Sequence, residues 1–129
     1  MQLIVHQQAV AAVRLPAGAP PPSWAVGSPL VSVSLTDSET SVICPTTSLP
    51  DQPPGPVEGP LTAVRIAGTL EFSQVGVLVG VLRPLAEAGV AVLAISSFDT
   101  DWVLLRAHEV AAAEAVWRAA GHVIVQASS

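Results

Sequence analysis

Apolar and polar positions along this chain follow two rhythms, and the change between them falls near residue 60. Beyond it, helical and strand periods alternate. Leu61–Leu70 (LTAVRIAGTL) predicts a strand, Val75–Ala88 an apolar-faced helix, Val90–Ile95 a β-branched buried strand, and Trp102–Arg106 a further strand. His108–Ala120 then predicts an Ala-rich helix and His122–Gln126 a last strand. Ser73 or Gln74 can cap the first helix by accepting a free first-turn amide, and Gly89 ends it in the left-handed conformation. Pro84 lacks an amide and crowds residue 80, where Gly80 removes the side chain, so a kink is expected there. Gly76 and Gly80 share a face and are expected to allow close backbone approach. The run Val75, Leu78, Val79, Leu82 and Leu85 is expected to pack on Val64, Ile66, Val92, Leu93 or Ile95, and Leu104.

Before residue 60 the chain is strand-only. Leu3–Leu15 predicts one long or bent strand, and Pro16–Pro29 a connection in which Trp24 plugs onto the core. Leu30–Leu35 (LVSVSL) alternates with period two, Thr36–Glu39 supplies turn chemistry, and Thr40–Cys44 (TSVIC) returns, which predicts a hairpin with one wet face. Pro45–Pro60 reads as a connector. The expected division is therefore residues 1–60 and 61–129, with element order β-α-β-β-α-β in the second part. Such a unit places both helices on one face of a four-stranded antiparallel sheet.

Composition narrows the classes. In 129 residues, 50% hydrophobic content is ample for a core. All 5 basic residues are Arg, scattered against 10 acids, so a net charge of -5 argues against nucleic acid. The segment Val75–Ile95 is broken by Arg83, Pro84, Glu87 and Gly89, so no membrane span is expected. The N-terminus MQLIVHQQAV lacks the marks of a signal peptide, and the single Cys44 cannot form an internal disulfide; a cytoplasmic location is expected. Cys44 in an apolar run before Pro45 reads as an inert small hydrophobe. His108 and His122 read as surface residues, His6 is unassigned, and no His or Cys spacing suggests a metal, so neither metal nor cofactor is expected. Trp102 and Trp117 are expected to fill the core or a dimer seam.

The phrases LRPLAEAGV (Leu82–Val90), AISSFDTDWVLLR (Ala94–Arg106) and EAVWRAAGHVI (Glu114–Ile124), set in the β-α-β-β-α-β order, resemble an ACT domain. The resemblance is closer to a subgroup of small tandem-ACT proteins similar to the CASTOR arginine sensors, where a phrase like ISTFDTD closes the first helix-strand unit. It covers Leu61–Val125 and extends more weakly to SVICP (Ser41–Pro45) and to a first half that looks like a degenerate, mostly β ACT copy. It implies an α+β, ferredoxin-like regulatory fold, not a catalytic one, that binds an amino acid at an interface between ACT copies.

Residue chemistry agrees. An amino-acid carboxylate is attracted to the free amides of a helix N-terminus, here Gln74, Val75, Gly76 and Val77, with Gly76 allowing close approach. The ammonium needs acceptors, which Asp99, Asp101 and the carbonyls of Ser96–Phe98 offer. The resemblance carries ligand contact onto Gln74, Gly76, Val77, Ser97, Phe98 and Asp101. In the arginine-binding relatives an acidic residue precedes the helix; here that place falls on Gln74, so a guanidinium loses a charged partner.

The same residues have plainer readings. Asp99-Thr100-Asp101 can be a turn bonded to its own backbone, Gln74 only a cap, and Gly76 a packing device. Three functions follow: a sensor that binds an amino acid as a homodimer, a ligand-free assembly module, or an enzyme using Asp99 and Asp101. The third lacks a His, Cys or Lys beside that pair to complete a mechanism. A single unit of this order leaves one sheet face apolar, from which a dimer is expected.

Overall fold

A computed structural model describes residues 1–70 and 76–128. The strands are β1 (Gln2–Pro16), β2 (Ser32–Leu35), β3 (Glu39–Pro45), β4 (Val57–Ile66), β5 (Val92–Ser96), β6 (Asp101–Arg106) and β7 (Val123–Gln126); the helices are α1 (Val77–Glu87) and α2 (Val110–Ala119). The expected caps Ser73 and Gln74, and Val75, lie outside the described residues. Short 3-10 turns occupy Thr46–Ser48 and Ala107–Glu109. The second of these takes the first residues of what the sequence marked as one helix from His108.

The chain forms two compact units, one of Met1–Gln7 with Thr62–Ser129 and the other of Gln8–Leu61. The first has the mixed α+β architecture expected. Its strand order is β7, β1, β4, β6, β5. The expected four-stranded sheet is thus corrected to five: the start of β1 lies between β4 and β7, parallel to β7 from Gln2 opposite Val123 to Val5 opposite Gln126. On its other side the Ala67 N–H donates to the Gln2 carbonyl at 2.9 Å. β5 and β6 pair antiparallel from Val92 opposite Leu105 to Ser96 opposite Asp101.

Both helices cover one face of this sheet, because strand alternation sends Leu3, Val5, Val64, Ile66, Val103 and Leu105 into one cluster with Val81, Leu85, Ala113 and Trp117. This corrects two expectations. Leu104 points to the opposite face and Leu93 is exposed, while Val103 and Leu105 take the helix side. On α1 the fully buried positions are Val81 and Leu85; Leu78 and Leu82 are half-buried and Val79 is exposed. The Trp117 indole N–H donates to the Val81 carbonyl at 2.8 Å, so this large side chain is buried with its polar edge satisfied.

In the second unit, Val10–Pro16 of β1 pairs antiparallel with β3, and β3 with β2, which gives the expected hairpin. Its core joins Val13, Leu15, Val42 and buried Cys44, with Trp24 packed against them. A connector was expected up to residue 60, yet Val57–Pro60 already belongs to β4. Just before it the chain passes so close to β1 that a Cβ on Gly55 would collide with the Arg14 carbonyl, and the Arg14 N–H donates to the Pro56 carbonyl at 3.1 Å.

Candidate functional site

A cleft of about 270 Å³ opens between the start of α1 and the β5–β6 hairpin, lined by Leu70, Gly76, Val77, Leu78, Val79 and Ser96–Asp101. It brings together Gly76, Val77, Ser97, Phe98, Asp99 and Asp101 of the sequence-derived set. Gln74 and Val75, the remaining members, lie outside the described residues.

The helix side is built on Gly76. This residue is the N-cap at φ 81, a conformation that L side chains avoid, and its carbonyl accepts the Gly80 N–H at 3.0 Å as the first helical bond. The amides of Val77, Leu78 and Val79 precede the first bonded one and have no acceptor within the helix. No side chain among the described residues caps them, and the first turn carries no acid. The helix start expected at Val75 is therefore corrected to Val77, and the first-turn amides become those of Val77–Val79, because a left-handed Gly76 cannot lie within a helix. The expected role of Gly76 and Gly80 in close packing is also corrected: among the described residues a Cβ at either would meet nothing within 4 Å.

The hairpin side is held by its own hydroxyls. The Ser97 N–H and Oγ both donate to the Thr100 carbonyl at 2.9 Å, and Ser96 Oγ donates to Asp101 Oδ1 at 2.6 Å. Two bonds then fasten the loop beside the end of β4. Thr100 Oγ1, buried, donates to the Ile66 carbonyl at 2.7 Å, and the Leu70 N–H donates to the Asp99 carbonyl at 2.6 Å. The turn reading of Asp99-Thr100-Asp101 is thus accurate for its backbone, yet it leaves both carboxylates at the cleft without a cationic side chain paired to them among the described residues. Phe98 at the tip is fully exposed, at 101%.

The cleft therefore offers hydrogen-bond donors on one wall and carboxylates on the other, with Leu70, Leu78 and Val79 as apolar lining. That division suits a small zwitterion better than an anion or a neutral apolar molecule. The sequence reading missed Leu78 and Val79 because it placed the helix start earlier. It missed Thr100 because only a fold can show that a β-branched hydroxyl between two aspartates reaches a carbonyl of another strand.

Two histidines also find partners the sequence did not indicate. His6 stacks on Trp102 with ring centroids 5.4 Å apart at 27°. Burial, and then the charge of Arg65, hold its pKa below the ordinary histidine value of 6.5. His122, expected at the surface, is half-buried, and its Nε2 lies 2.9 Å from the Gly80 carbonyl. No helix among the described residues is long and apolar enough to cross a membrane.

Residues 57–116, from β4 through most of α2, match the ACT domain family model. Among solved structures, the chain is similar to the protein Atu0741 of Agobacterium tumefaciens, with 26% identity and a TM-score of 0.90 over 99% of this chain and 94% of that one. It shares its fold with aspartokinase alpha and beta subunits at 17% identity and a TM-score of 0.62, covering 93% and 97% of the two chains. The regulatory subunit of aspartate kinase from Thermus flavus superposes with 13% identity and a TM-score of 0.63 over the same shares, 93% and 97%. No curated protein matches this chain in sequence.

Proposed function

We propose that this chain, with an ACT domain match over residues 57–116 and the fold of aspartokinase regulatory subunits, is a non-catalytic regulatory protein that binds a free amino acid in the cleft between α1 and the β5–β6 hairpin. The observation that carries this reading is the opposition of three amides that no side chain of the described residues caps, Val77–Val79, to two carboxylates, Asp99 and Asp101. The carboxylate of the ligand takes the amides and its ammonium takes the aspartates. Ser97 and exposed Phe98 form the rim, and a second ACT copy closes over it, so the ligand lies at an ACT–ACT interface of a homodimer. Gln74, at the position of an acid in the arginine sensors, makes a guanidinium the less favoured side chain. The unit Gln8–Leu61 is a reduced ACT-like copy in this scheme, the protein is cytoplasmic, and neither nucleic acid nor membrane is a partner.

Such a protein works by differential affinity: a ligand that bridges two copies shifts an association or conformational equilibrium by the difference in its binding to the two states. The test is a thermal-shift and calorimetric screen of the free proteinogenic amino acids with sedimentation in parallel. The expected result is one or a small group of amino acids that raises the melting temperature by mass action and alters self-association. Absence of binding below millimolar concentration defeats the sensor reading. The alternative is then a ligand-free assembly module, favoured by the exposure of Phe98, Val79 and Leu93, and it predicts a stable dimer indifferent to every amino acid.

A further inference from the structure

Pro84 lies inside α1 and has no amide hydrogen, so the carbonyl of Gly80, four residues earlier, lacks the partner a helix would give it. A side chain from outside the helix takes that place. His122, in the turn between α2 and β7, sets Nε2 2.9 Å from the Gly80 oxygen; with a carbonyl opposite, Nε2 carries the hydrogen. The adjacent carbonyl, that of Val81, accepts the buried Trp117 indole. Consecutive carbonyls of α1 are thus held from the side of α2 and its exit.

The bond from His122 continues towards the cleft. The Gly80 carbonyl and the Val81 N–H belong to one peptide unit, and in the helix that N–H donates to the Val77 carbonyl. The Val77 carbonyl shares its own peptide unit with the Leu78 N–H, which has no helical acceptor, and Leu78 lines the cleft. Imidazole, Gly80–Val81 peptide and Val77–Leu78 peptide therefore form one line, and hydrogen bonds in such a line polarise one another.

We propose that His122 sets the donor strength of the Leu78 amide, so that the cleft holds an anionic group more tightly when the imidazole is protonated. A charged ring draws more density from the Gly80 oxygen, which makes the Val81 N–H and then the Leu78 N–H stronger donors. The consequence for a ligand rests on the proposed function of the cleft; the relay itself does not. Around the ring, Met1, which precedes β1, contributes its amino group, 3.2 Å from Nδ1. α1 carries Arg83 and Glu87, and α2 carries Glu114 and Arg118, which face each other at 4.0 Å. β7 carries no charged side chain.

The test records amide spectra of the ¹⁵N-labelled full chain between about pH 5 and pH 8, the range in which an imidazole changes charge. The Leu78 amide proton should move downfield as pH falls, along the same curve as the His122 ring carbons. In His122→Gln, which keeps a donor but does not titrate, that curve should vanish while the other amides stay in place. Pro84→Ala, which offers the Gly80 carbonyl a helical donor, should reduce its amplitude. A Leu78 amide that ignores the ring, or follows the same curve in His122→Gln, overturns the relay. Acetate then serves as a carboxylate probe, expected to bind about two- to threefold more tightly at the low end of the range in wild type and equally at both ends in His122→Gln. Acetate binding without pH dependence in wild type also overturns the proposal. If acetate fails to bind at either pH while the relay holds, the loss falls on the ligand-site reading and the relay stands.

Discussion

His6 of β1 and Trp102 of β6 stack at 5.4 Å although β4 runs between their strands. Val64 and Ile66 point to the helices, so alternation turns Ala63 to the face shared by His6 and Trp102, and Ala63 is fully buried. A methyl group in the middle strand is what leaves room for two rings to meet across it. Ala63→Leu is therefore expected to part them and to destabilise the fold by about 1–3 kcal/mol, the usual cost of overpacking. Denaturant unfolding with tryptophan emission as the probe measures both effects, and a variant as stable as wild type would show that the rings do not depend on Ala63.

The same histidine makes stability depend on pH. Its folded-state pKa lies below the unfolded value of 6.5, through burial first and the Arg65 charge second, and its Nε2 is a buried atom without a hydrogen-bond partner among the described residues. Folding therefore disfavours the proton. The stability tied to neutral His6 is fully present above the unfolded value and is lost as pH falls below it through the folded value. His6→Phe, which keeps the stack and removes the titration, should flatten this part of the stability profile. A profile with the same slope in both proteins over that window would remove His6 as the cause.

Trp117 fixes α2 to α1 by packing and by its bond to the Val81 carbonyl. Trp117→Phe keeps most of the volume and loses the donor, with an expected cost of about 1–2 kcal/mol. Trp117→Ala empties the middle of the core and should cost about 3–5 kcal/mol. Equal costs for the two variants would mean that volume is irrelevant here, against the full burial of the ring.

At the cleft, Thr100 and Asp101 separate architecture from binding. Thr100→Val removes the hydroxyl that donates to the Ile66 carbonyl and should destabilise by about 1–3 kcal/mol, with Thr100→Ser recovering most of it. Asp101→Asn keeps an acceptor for Ser96 Oγ, so folding should change little, while amino-acid affinity should fall by about 1–3 kcal/mol if the ammonium contact is desolvated. Gly76→Val should lose both, since a β-branched residue at φ 81 costs about 1–3 kcal/mol of strain and covers the helix amides. Calorimetric titration beside thermal unfolding reads the two losses apart, and an Asp101→Asn protein that binds as wild type does would exclude the aspartate as the ammonium partner.

Much of the architecture is local and so was legible in the amino-acid order. Period-two alternation marked β2 and the turn chemistry after it marked β3, Gly89 stopped α1 by taking φ 73, and the polar stretch Ser96–Asp101 announced the hairpin that forms one wall of the cleft. The sequence reading set Leu104 of β6 against α1, whereas Val103 and Leu105 take that side. Only packing decided which face meets the helices, because period two is symmetric under exchange of the sides. The place of β1 between β4 and β7 was equally out of reach, since strand partners are chosen by hydrogen bonds between segments far apart in the chain. The same holds at the site. Sequence supplied a proline that frees a carbonyl at Gly80 and a histidine 42 residues away; that the second answers the first is a fact of three-dimensional distance, which no periodicity encodes.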